Sequence, residues 1–185
     1  MSPAQPLASP LTLPVPPADA RSPSAADLSA WFERLFAEHQ TPILNYLYRL
    51  TGETGLAEDL AQEAFTRAWK ARQQLPHLEN SRAWLYRIAT NAARDHMRRA
   101  RLLAWLPLWE GEQGLRLESP EEAALESERM RRALLQLPPD YRIPLVLYTC
   151  QDFTVAEIAQ ALELSTEAVK QRLVRARRKL REAFE

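Results

Sequence analysis

Residues 154–181 read TVAEIAQALELSTEAVKQRLVRARRKLR, and this stretch decides the fold of the carboxy-terminal half of the chain. The spacing of Thr154 and Glu157 predicts a capping box, in which the hydroxyl and the carboxylate each accept a backbone N–H at the start of a helix. After a short apolar turn, Ser165 or Thr166 can begin a second helix. Two short capped helices with so tight a connection predict a helix-turn-helix.

The second helix of this stretch has an apolar face and a basic face. Its apolar residues recur at steps of four, three, four and four, and they are Val169, Leu173, Ala176, Leu180 and Phe184. Residues 165–181 also hold seven Lys or Arg side chains and one acidic side chain. Such a helix suits the phosphates of DNA, although a basic amphipathic helix is also typical of a solvated surface or of a helix bundle.

The composition indicates an all-α protein. Ala, Leu, Arg, Glu and Gln dominate the 185 residues, four glycines occur, and alternating β-branched runs are absent. The length allows one medium domain or two small ones. The net charge of zero conceals a segregation of charge, because residues 82–101 carry six Arg and one Asp while residues 110–128 carry seven Glu and one Arg. Neutrality is therefore no argument against a nucleic-acid partner.

The reactive side chains argue against an enzyme. His39, His77 and His96 have no metal-ligand spacing, no glycine-rich phosphate loop is present, and the single Cys150 has no neighbouring His. We therefore expect no catalytic residue, no metal and no cofactor. One cysteine forms no intramolecular disulfide, which is typical of a protein of the reducing cytoplasm.

The amino-terminal part is predicted to pass from a disordered tail into helices. Residues 1–26 hold seven of the fourteen prolines and read neither as a signal peptide nor as a membrane span. A first helix can begin at Asp27 or Ser29, and Pro42 predicts the start of a second. A third, at residues 56–72, has an apolar side that includes Phe65 and Trp69. Its outer side, which either complements the helix dipole or forms a partner surface, shows Glu58, Asp59, Gln62, Glu63, Thr66 and Lys70.

A fourth helix, with Ser81 as its predicted N-cap after a polar loop at residues 73–81, carries a polar stripe. Its members follow one another at steps of three and four, and they are Trp84, Arg87, Asn91, Arg94, Arg98 and Arg101. Guanidinium groups bind phosphate, an Asn can read a base edge, and an indole can stack on an unpaired base. The stripe therefore predicts a second nucleic-acid surface, and the alternative is a solvated basic helix face.

The segment at residues 102–118 lacks helical periodicity, and we predict a flexible linker there. Ser119 and Pro120 combine an N-cap with a first-turn proline and begin the next predicted helix. A further helix is predicted at residues 141–149. With the two helices of the opening stretch, these form a compact four-helix unit.

With both halves in view, the chain from about Trp31 to Phe184 resembles the extracytoplasmic-function (ECF) group of the sigma-70 family of RNA polymerase sigma factors. The first half is similar to sigma region 2 through AEDLAQEAFTRAW (57–69) and AWLYRIATNAARDHMRR (83–99). The second half is similar to sigma region 4 through LPPDYRIPLVL (137–147), AEIAQALELS (156–165) and AVKQRLVRARRKL (168–180).

The resemblance implies an architecture and a function. Two small helical domains are implied, namely a region 2-like domain at 27–101 and a region 4-like helix-turn-helix domain at 119–185, joined by the linker at 102–118. The implied function is that of a sigma factor, which binds core RNA polymerase, recognises the −35 and −10 promoter elements and helps to open DNA. Core polymerase, promoter DNA and an anti-sigma factor are the implied partners.

The resemblance also assigns roles to residues. Core polymerase binding falls to Asp59, Gln62 and Glu63. Recognition and opening of the −10 element falls to Asn80, Trp84, Arg87, Asn91, Arg94, Asp95 and Arg98. Reading of the −35 element falls to Lys170, Gln171, Val174 and Arg175, to which the helix face adds Ser165, Thr166, Arg172 and Arg178.

The sequence departs from the family pattern in three places. Asp152 and Glu163 stand where Gly is common, and Glu167 with Ala168 replaces a frequent Gly-Thr near the DNA groove. A DNA-binding regulator that uses the helix-turn-helix without joining polymerase is the alternative function. That alternative leaves the acidic helix face and the Arg stripe of the first half without a purpose.

Overall fold

The computed structural model describes residues 24–72, 80–103 and 121–184, and every regular element in these ranges is an α-helix, which confirms the all-α prediction. The helices are α1 Ala25–Thr51, α2 Thr54–Lys70, α3 Ser81–Leu103, α4 Glu121–Gln136, α5 Pro139–Cys150, α6 Val155–Leu162 and α7 Thr166–Phe184. The described helices include none that is long and apolar enough to cross a membrane. Outside the described ranges lie most of the predicted tail, loop and linker and the predicted cap at Ser119.

Helix α1 is continuous, whereas the sequence predicts two helices that meet at Pro42. It begins at a capping box, in which Ser24 Oγ accepts a 3.2 Å bond from the Asp27 N–H and the Asp27 carboxylate accepts a 3.1 Å bond from the Ser24 N–H. The predicted break is wrong because one buried stripe runs through the proline, from Leu35 to Leu50. Burial of that stripe outweighs the single backbone hydrogen bond that the proline removes.

Helices α1, α2 and α3 pack against one another as an amino-terminal unit. Its fully buried aliphatic side chains include Ile43, Leu47, Leu50, Leu85 and Ile88. Within this core the Tyr46 and Thr90 hydroxyls lie 2.6 Å apart, and Thr90 also donates to the Tyr86 carbonyl at 2.7 Å. Burial raises the pKa of Tyr46 well above its ordinary value. A satisfied polar pair between α1 and α3 fixes how these two helices lie against each other.

Helices α4, α5 and α6 pack around α7 as a carboxy-terminal unit. The capping box of α6 is present, since Thr154 Oγ1 accepts from the Glu157 N–H at 3.2 Å and the Glu157 carboxylate accepts from the Thr154 N–H at 2.8 Å. That backbone hydrogen bond lowers the pKa of Glu157. Ser165 begins α7 by accepting from the Ala168 N–H at 3.1 Å. The prediction of a helix-turn-helix is therefore confirmed.

The turn between α6 and α7 is made by Glu163. Its backbone has φ 55° and ψ 46°, the left-handed conformation that glycine adopts without steric cost, and its N–H bonds to the Ala159 carbonyl. The next N–H, of Leu164, bonds to the same carbonyl at 2.9 Å. These two bonds end α6. They hold Glu163 in a backbone conformation for which glycine is the sterically favoured residue.

The two units pack against each other along a contact that we call the seam, in which α6 lies on α3 while α4 and α5 lie on α1. A single cluster of buried apolar side chains runs through both units. At its centre the Tyr86 ring meets the Phe153 ring edge to face, with 4.8 Å between the ring centroids.

Arginines of the carboxy-terminal unit also bind the end of α1. Buried Arg142 of α5 donates to the Leu50 carbonyl, and Arg131 of α4 donates to the Gly52 carbonyl at 3.2 Å. The last carbonyls of a helix have no partner within it, so cations placed there satisfy them and complement the helix dipole. The carboxy-terminal unit therefore completes the C-terminus of α1.

Candidate functional site

The outer face of α2 carries the three predicted polymerase-binding residues side by side. Asp59 and Gln62 are exposed, and Glu63 is half-buried and forms a 2.5 Å ion pair with Arg67. Their spacing of three and four residues places them on one helix face. Together with Thr66, Arg67 and Lys70 they line a shallow depression.

An apolar groove of about 520 Å³ runs beside this face, between α1 and α2. Its walls are aromatic, because Phe32 meets Trp69 and Phe36 meets Phe65 in edge-to-face pairs with centroids 5.0 and 4.8 Å apart. Phe36 is 40% exposed and Trp69 is 38% exposed, and Gln62 lines both the groove and the outer face. Exposed apolar patches of this kind mark interaction surfaces.

The groove is not predicted by the helical periodicity, which places Phe65 and Trp69 on the core side of α2. The signal that could reveal it lies in α1, where Trp31, Phe32 and Phe36 widen the apolar stripe beyond what a three-helix core can cover. Neighbouring aromatic residues on both helices then remain partly in solvent.

The predicted −10 residues of α3 have two different environments. At the amino-terminal end Asn80 caps the helix, its Oδ1 accepting from the Ala83 N–H at 2.8 Å, and Trp84 is only 4% exposed. The predicted cap at Ser81 is therefore wrong by one residue, because the longer Asn80 side chain reaches that N–H first. Towards the other end Asn91 and Arg94 are half-buried and Asp95 pairs with exposed Arg98 at 3.2 Å.

Arg87, in the middle of the predicted stripe, belongs to the seam. Its Nη1 forms a 2.9 Å ion pair with Glu163 Oε1 at the turn of the helix-turn-helix. The Arg87 side chain is 16% exposed, against 66% for that of Glu163. In this conformation the stripe is therefore not a continuous open surface, because its amino-terminal part is covered.

Three polar residues and a phenylalanine extend the seam beside Arg87. Tyr86 donates to Gln151 Oε1 at 2.5 Å, and Arg82 donates to the Gln151 backbone carbonyl while its guanidinium lies 4.2 Å from the centre of the Phe153 ring. Burial raises the pKa of Tyr86 to about 12. None of these contacts is predicted by the sequence pattern, because they join residues more than sixty positions apart.

The predicted −35 residues lie along the outer face of α7. Gln171, Val174 and Arg175 are exposed, Val174 by 65%. The remaining ones bond within their own unit: Ser165 is the N-cap, Lys170 lies 3.8 Å from Glu167, Arg172 lies 3.7 Å from Asp140, and Arg178 lies 3.6 Å from Glu182. Thr166, the first helical residue, is exposed. Exposed surface pairs of this length are weak, so Lys170 and Arg178 are free to exchange them for phosphate.

Two family models match different parts of the chain. The family model of sigma-70 region 2 matches residues 35–102, and that of sigma-70 region 4 matches residues 127–180. The chain is similar to the RNA polymerase sigma-H factor of Pseudomonas aeruginosa, with 31% identity over 83% of this chain and 86% of the relative. It is also similar to the ECF RNA polymerase sigma factor SigW of Bacillus subtilis, with 32% identity over 77% of this chain and 83% of the relative.

Solved structures share the fold. The sigma factor RpoE of Bartonella quintana, solved in complex with the anti-sigma factor NepR, superposes with a TM-score of 0.71 at 22% identity over 82% of this chain and 95% of that chain. CnrH, solved in complex with the cytosolic domain of CnrY, superposes with a TM-score of 0.64 at 27% identity over 83% of this chain and 87% of that chain. From the matched regions and the curated relatives together, the chain belongs to the ECF group of the sigma-70 family of RNA polymerase sigma factors.

Proposed function

We propose that this sigma factor binds core RNA polymerase through α2, reads the −10 element through α3 and reads the −35 element through α7. One observation carries the proposal: the chain has a candidate partner surface on α2 and basic faces on two other helices, α3 and α7. A regulator that only binds DNA has no use for the acidic face of α2 and the aromatic groove beside it. The similarity to curated sigma factors supports the same function.

The polymerase-binding surface combines Asp59, Gln62 and Glu63 with the groove lined by Phe36 and Trp69. An apolar centre bordered by charges is the usual anatomy of a protein–protein interface, in which the buried aromatic residues contribute most of the binding energy. We therefore expect core polymerase to present an apolar side chain to the groove and basic side chains to Asp59 and Glu63.

The two DNA-reading helices are assigned to different promoter elements, α7 to the −35 element and α3 to the −10 element. On α7, Gln171 and Arg175 project from the amino-terminal half of the recognition helix, the part that reaches base edges in the major groove. On α3, Arg94 and Arg98 suit phosphate contacts, and half-buried Asn80 and Asn91 suit unpaired bases of the −10 element. Trp84, which is 4% exposed, can stack on a base only after it is uncovered. Capture of unpaired bases offsets the cost of opening the duplex, which is a few kcal/mol for each base.

An anti-sigma factor is a further proposed partner. CnrH, at 27% identity, was solved with the cytosolic domain of CnrY, and RpoE was solved with the anti-sigma factor NepR. We place this chain in the cytoplasm, where polymerase and DNA are found, and we assign it no enzymatic activity.

Reversal of the charge of two acidic residues on α2 tests the proposal. Asp59→Arg combined with Glu63→Arg should abolish co-purification with core polymerase and promoter-dependent transcription from a random promoter library. A matched control is Glu38→Arg combined with Glu126→Arg, which makes the same change of charge at exposed positions elsewhere. Normal polymerase binding by the α2 variant, with its helical circular dichroism intact, would reject the assignment of this surface. Failure of the wild-type protein to support transcription with core polymerase would favour the regulator.

A further inference from the structure

The chain before α1 is rich in proline and free of charge over most of its length. Residues 2–18 hold six prolines and no Asp, Glu, Lys or Arg. Residues 11–17, which we call the tail segment, read LTLPVPP and combine three large aliphatic side chains with the pattern PxxP. Proline restricts the backbone before binding, so such a segment loses little conformational entropy when it binds in the extended polyproline II form. PxxP segments bind grooves that aromatic side chains line.

The apolar groove between α1 and α2 has such a lining. Phe36 and Trp69 remain 40% and 38% exposed, although each packs edge to face against another ring. Among the described residues that line the groove, Glu58 alone is charged. Gln40 and Gln62 line it as well and are exposed. Their amide groups can donate hydrogen bonds to the backbone carbonyls of a bound segment, which have no internal partners in polyproline II.

The tail segment is attached at a distance that lets it reach this groove. An α-helix rises about 1.5 Å per residue, so Phe32 lies about 12 Å along α1 from Ser24, and the groove continues about 18 Å further, to Leu44. In polyproline II, residues 11–16 cover about 19 Å, which matches the length of the groove. Residues 17–23 span up to about 23 Å, which is more than the return from Ser24 to Phe32 requires.

Attachment to α1 also favours this occupant over a free one. A short connection gives the tail segment an effective concentration on the order of millimolar at the groove. A contact with a Kd of about 0.1 mM would then fill the groove in about nine molecules in ten. A free partner with the same affinity, at a concentration of about 1 μM, would fill it in about one molecule in a hundred.

We propose that the tail segment binds in the apolar groove between α1 and α2 of its own chain and leaves the groove when core polymerase binds there. Running back along α1, the tail segment places Pro16 near Trp69 and Leu11 near Leu44. The departure of the tail segment rests on the proposed assignment of the groove to core polymerase, whereas its binding to the groove does not. Asp59 stays exposed beside the filled groove, so polymerase can contact the acidic face of α2 first and then take the groove.

Nuclear magnetic resonance of the full-length protein tests the binding of the tail segment. A nitroxide attached at Thr12→Cys, in a Cys150→Ser background, broadens the amide signals of residues that lie near the tail segment. It should broaden the signals of Thr41 and Leu44, which line the end of the groove farther from Ser24. We call these two the groove signals.

Variants of the tail segment and of the groove isolate the contact. Leu11→Ser, Leu13→Ser and Val15→Ser together keep every proline and the length of the chain, and this serine variant should lose the broadening of the groove signals. Phe36→Glu should lose it as well, because a carboxylate in the groove opposes burial of the aliphatic side chains. Met130→Glu is the matched control, since Met130 of α4 is an apolar side chain that is 44% exposed, and it should keep the broadening.

Two outcomes would overturn the binding of the tail segment to its own chain. One is broadening that is equal in the parent protein and the serine variant, or equal in Phe36→Glu and Met130→Glu. The other comes from a mixture of nitroxide-labelled protein with isotope-labelled protein that lacks the nitroxide. Broadening in this mixture as strong as within one chain would assign the groove to the tail of a second copy.

Core polymerase then tests the departure of the tail segment. If the tail segment fills the groove in about nine molecules in ten, the serine variant should bind core polymerase about tenfold more tightly than the parent protein. Equal affinities, with the broadening intact in the parent protein, would overturn the departure and remove the groove from the polymerase-binding surface. The resonance measurements contain no polymerase, so failure of the charge-reversal variant on α2 to lose polymerase binding would leave the binding of the tail segment unaffected.

Discussion

Leu135 of α4 occupies the space beside Gly52, where a β-carbon would lie 2.5 Å from Leu135 Cδ1. The same β-carbon would lie 2.9 Å from Arg131 Nη1, which donates to the Gly52 carbonyl. Gly52 also has φ 76°, a conformation that side chains disfavour. A side chain at residue 52 would therefore displace the ends of the Leu135 and Arg131 side chains as well as strain the backbone.

The first prediction compares two glycines at the junction of α1 and α2, Gly52 at the end of α1 and Gly55 in the first turn of α2. Gly52→Ala should destabilise the protein by about 1–3 kcal/mol, from the left-handed backbone and the crowding of α4. Gly55→Ala is the control, because a β-carbon there meets nothing within 4 Å and the residue lies in α2, where Ala stabilises a helix by about 0.5–1 kcal/mol relative to Gly. Urea denaturation of both variants measures the difference, and equal stabilities would contradict the packing of α4 at Gly52.

The second prediction concerns the cap of α6. Thr154→Ala should cost about 1 kcal/mol of unfolding free energy, because the N-cap hydroxyl satisfies the Glu157 N–H. Thr166→Ala, at an exposed first helical position without a cap bond, should cost less than half as much. The lowered pKa of Glu157 means that its contribution is present above its ordinary pKa of 4.5 and declines as the pH falls below it. A cap variant with unchanged stability at pH 7 would show that tertiary packing alone holds α6.

The third prediction concerns alkaline pH and the seam. Tyr86 keeps its proton more tightly in the folded protein, with a pKa of about 12 against an ordinary value of 10.0. Its contribution to stability is therefore complete below pH 10 and is lost as the pH rises from 10 to 12, at a limiting slope of about 1.4 kcal/mol per pH unit. Tyr86→Phe should flatten the decline between pH 9.5 and 11.5 and lower stability at pH 7, because Gln151 loses its donor. If the unfolding free energy declined equally with pH in both proteins, the raised pKa of Tyr86 would be contradicted.

The fourth prediction separates base reading from phosphate binding on α7. Gln171→Ala should change the preferred −35 bases in a selection from random DNA, because a lost base contact removes about 1–3 kcal/mol of discrimination. Arg178→Ala, two turns further along the same face, should weaken binding to every sequence and reduce its salt dependence. If both variants selected the parental sequence, the orientation of α7 in the groove would differ from the one proposed here.

The helix-turn-helix could be predicted because its caps join residues that are close in sequence. The seam could not be predicted because its contacts join residues that are far apart in sequence. Thr154 and Glu157 lie three residues apart, so their cap can be recognised without knowledge of the rest of the chain. The break predicted at Pro42 fails because burial along the whole of α1 outweighs one local penalty. The contact of Arg87 with Glu163 joins residues 76 positions apart, and no periodicity in either helix indicates it. The stripe on α3 could be predicted as a helix face, but not its partial burial.

Val174 stands 65% exposed among charged neighbours on α7, where an apolar side chain gains nothing from water. If α7 enters the major groove as proposed, the expected contact of Val174 is the 5-methyl group of thymine, which distinguishes thymine from the other three bases there. A methyl group at the same carbon of cytosine would fill the same space. With α7 placed in the major groove as proposed, Val174 therefore gains from thymine and from 5-methylcytosine and gains nothing from unmodified cytosine.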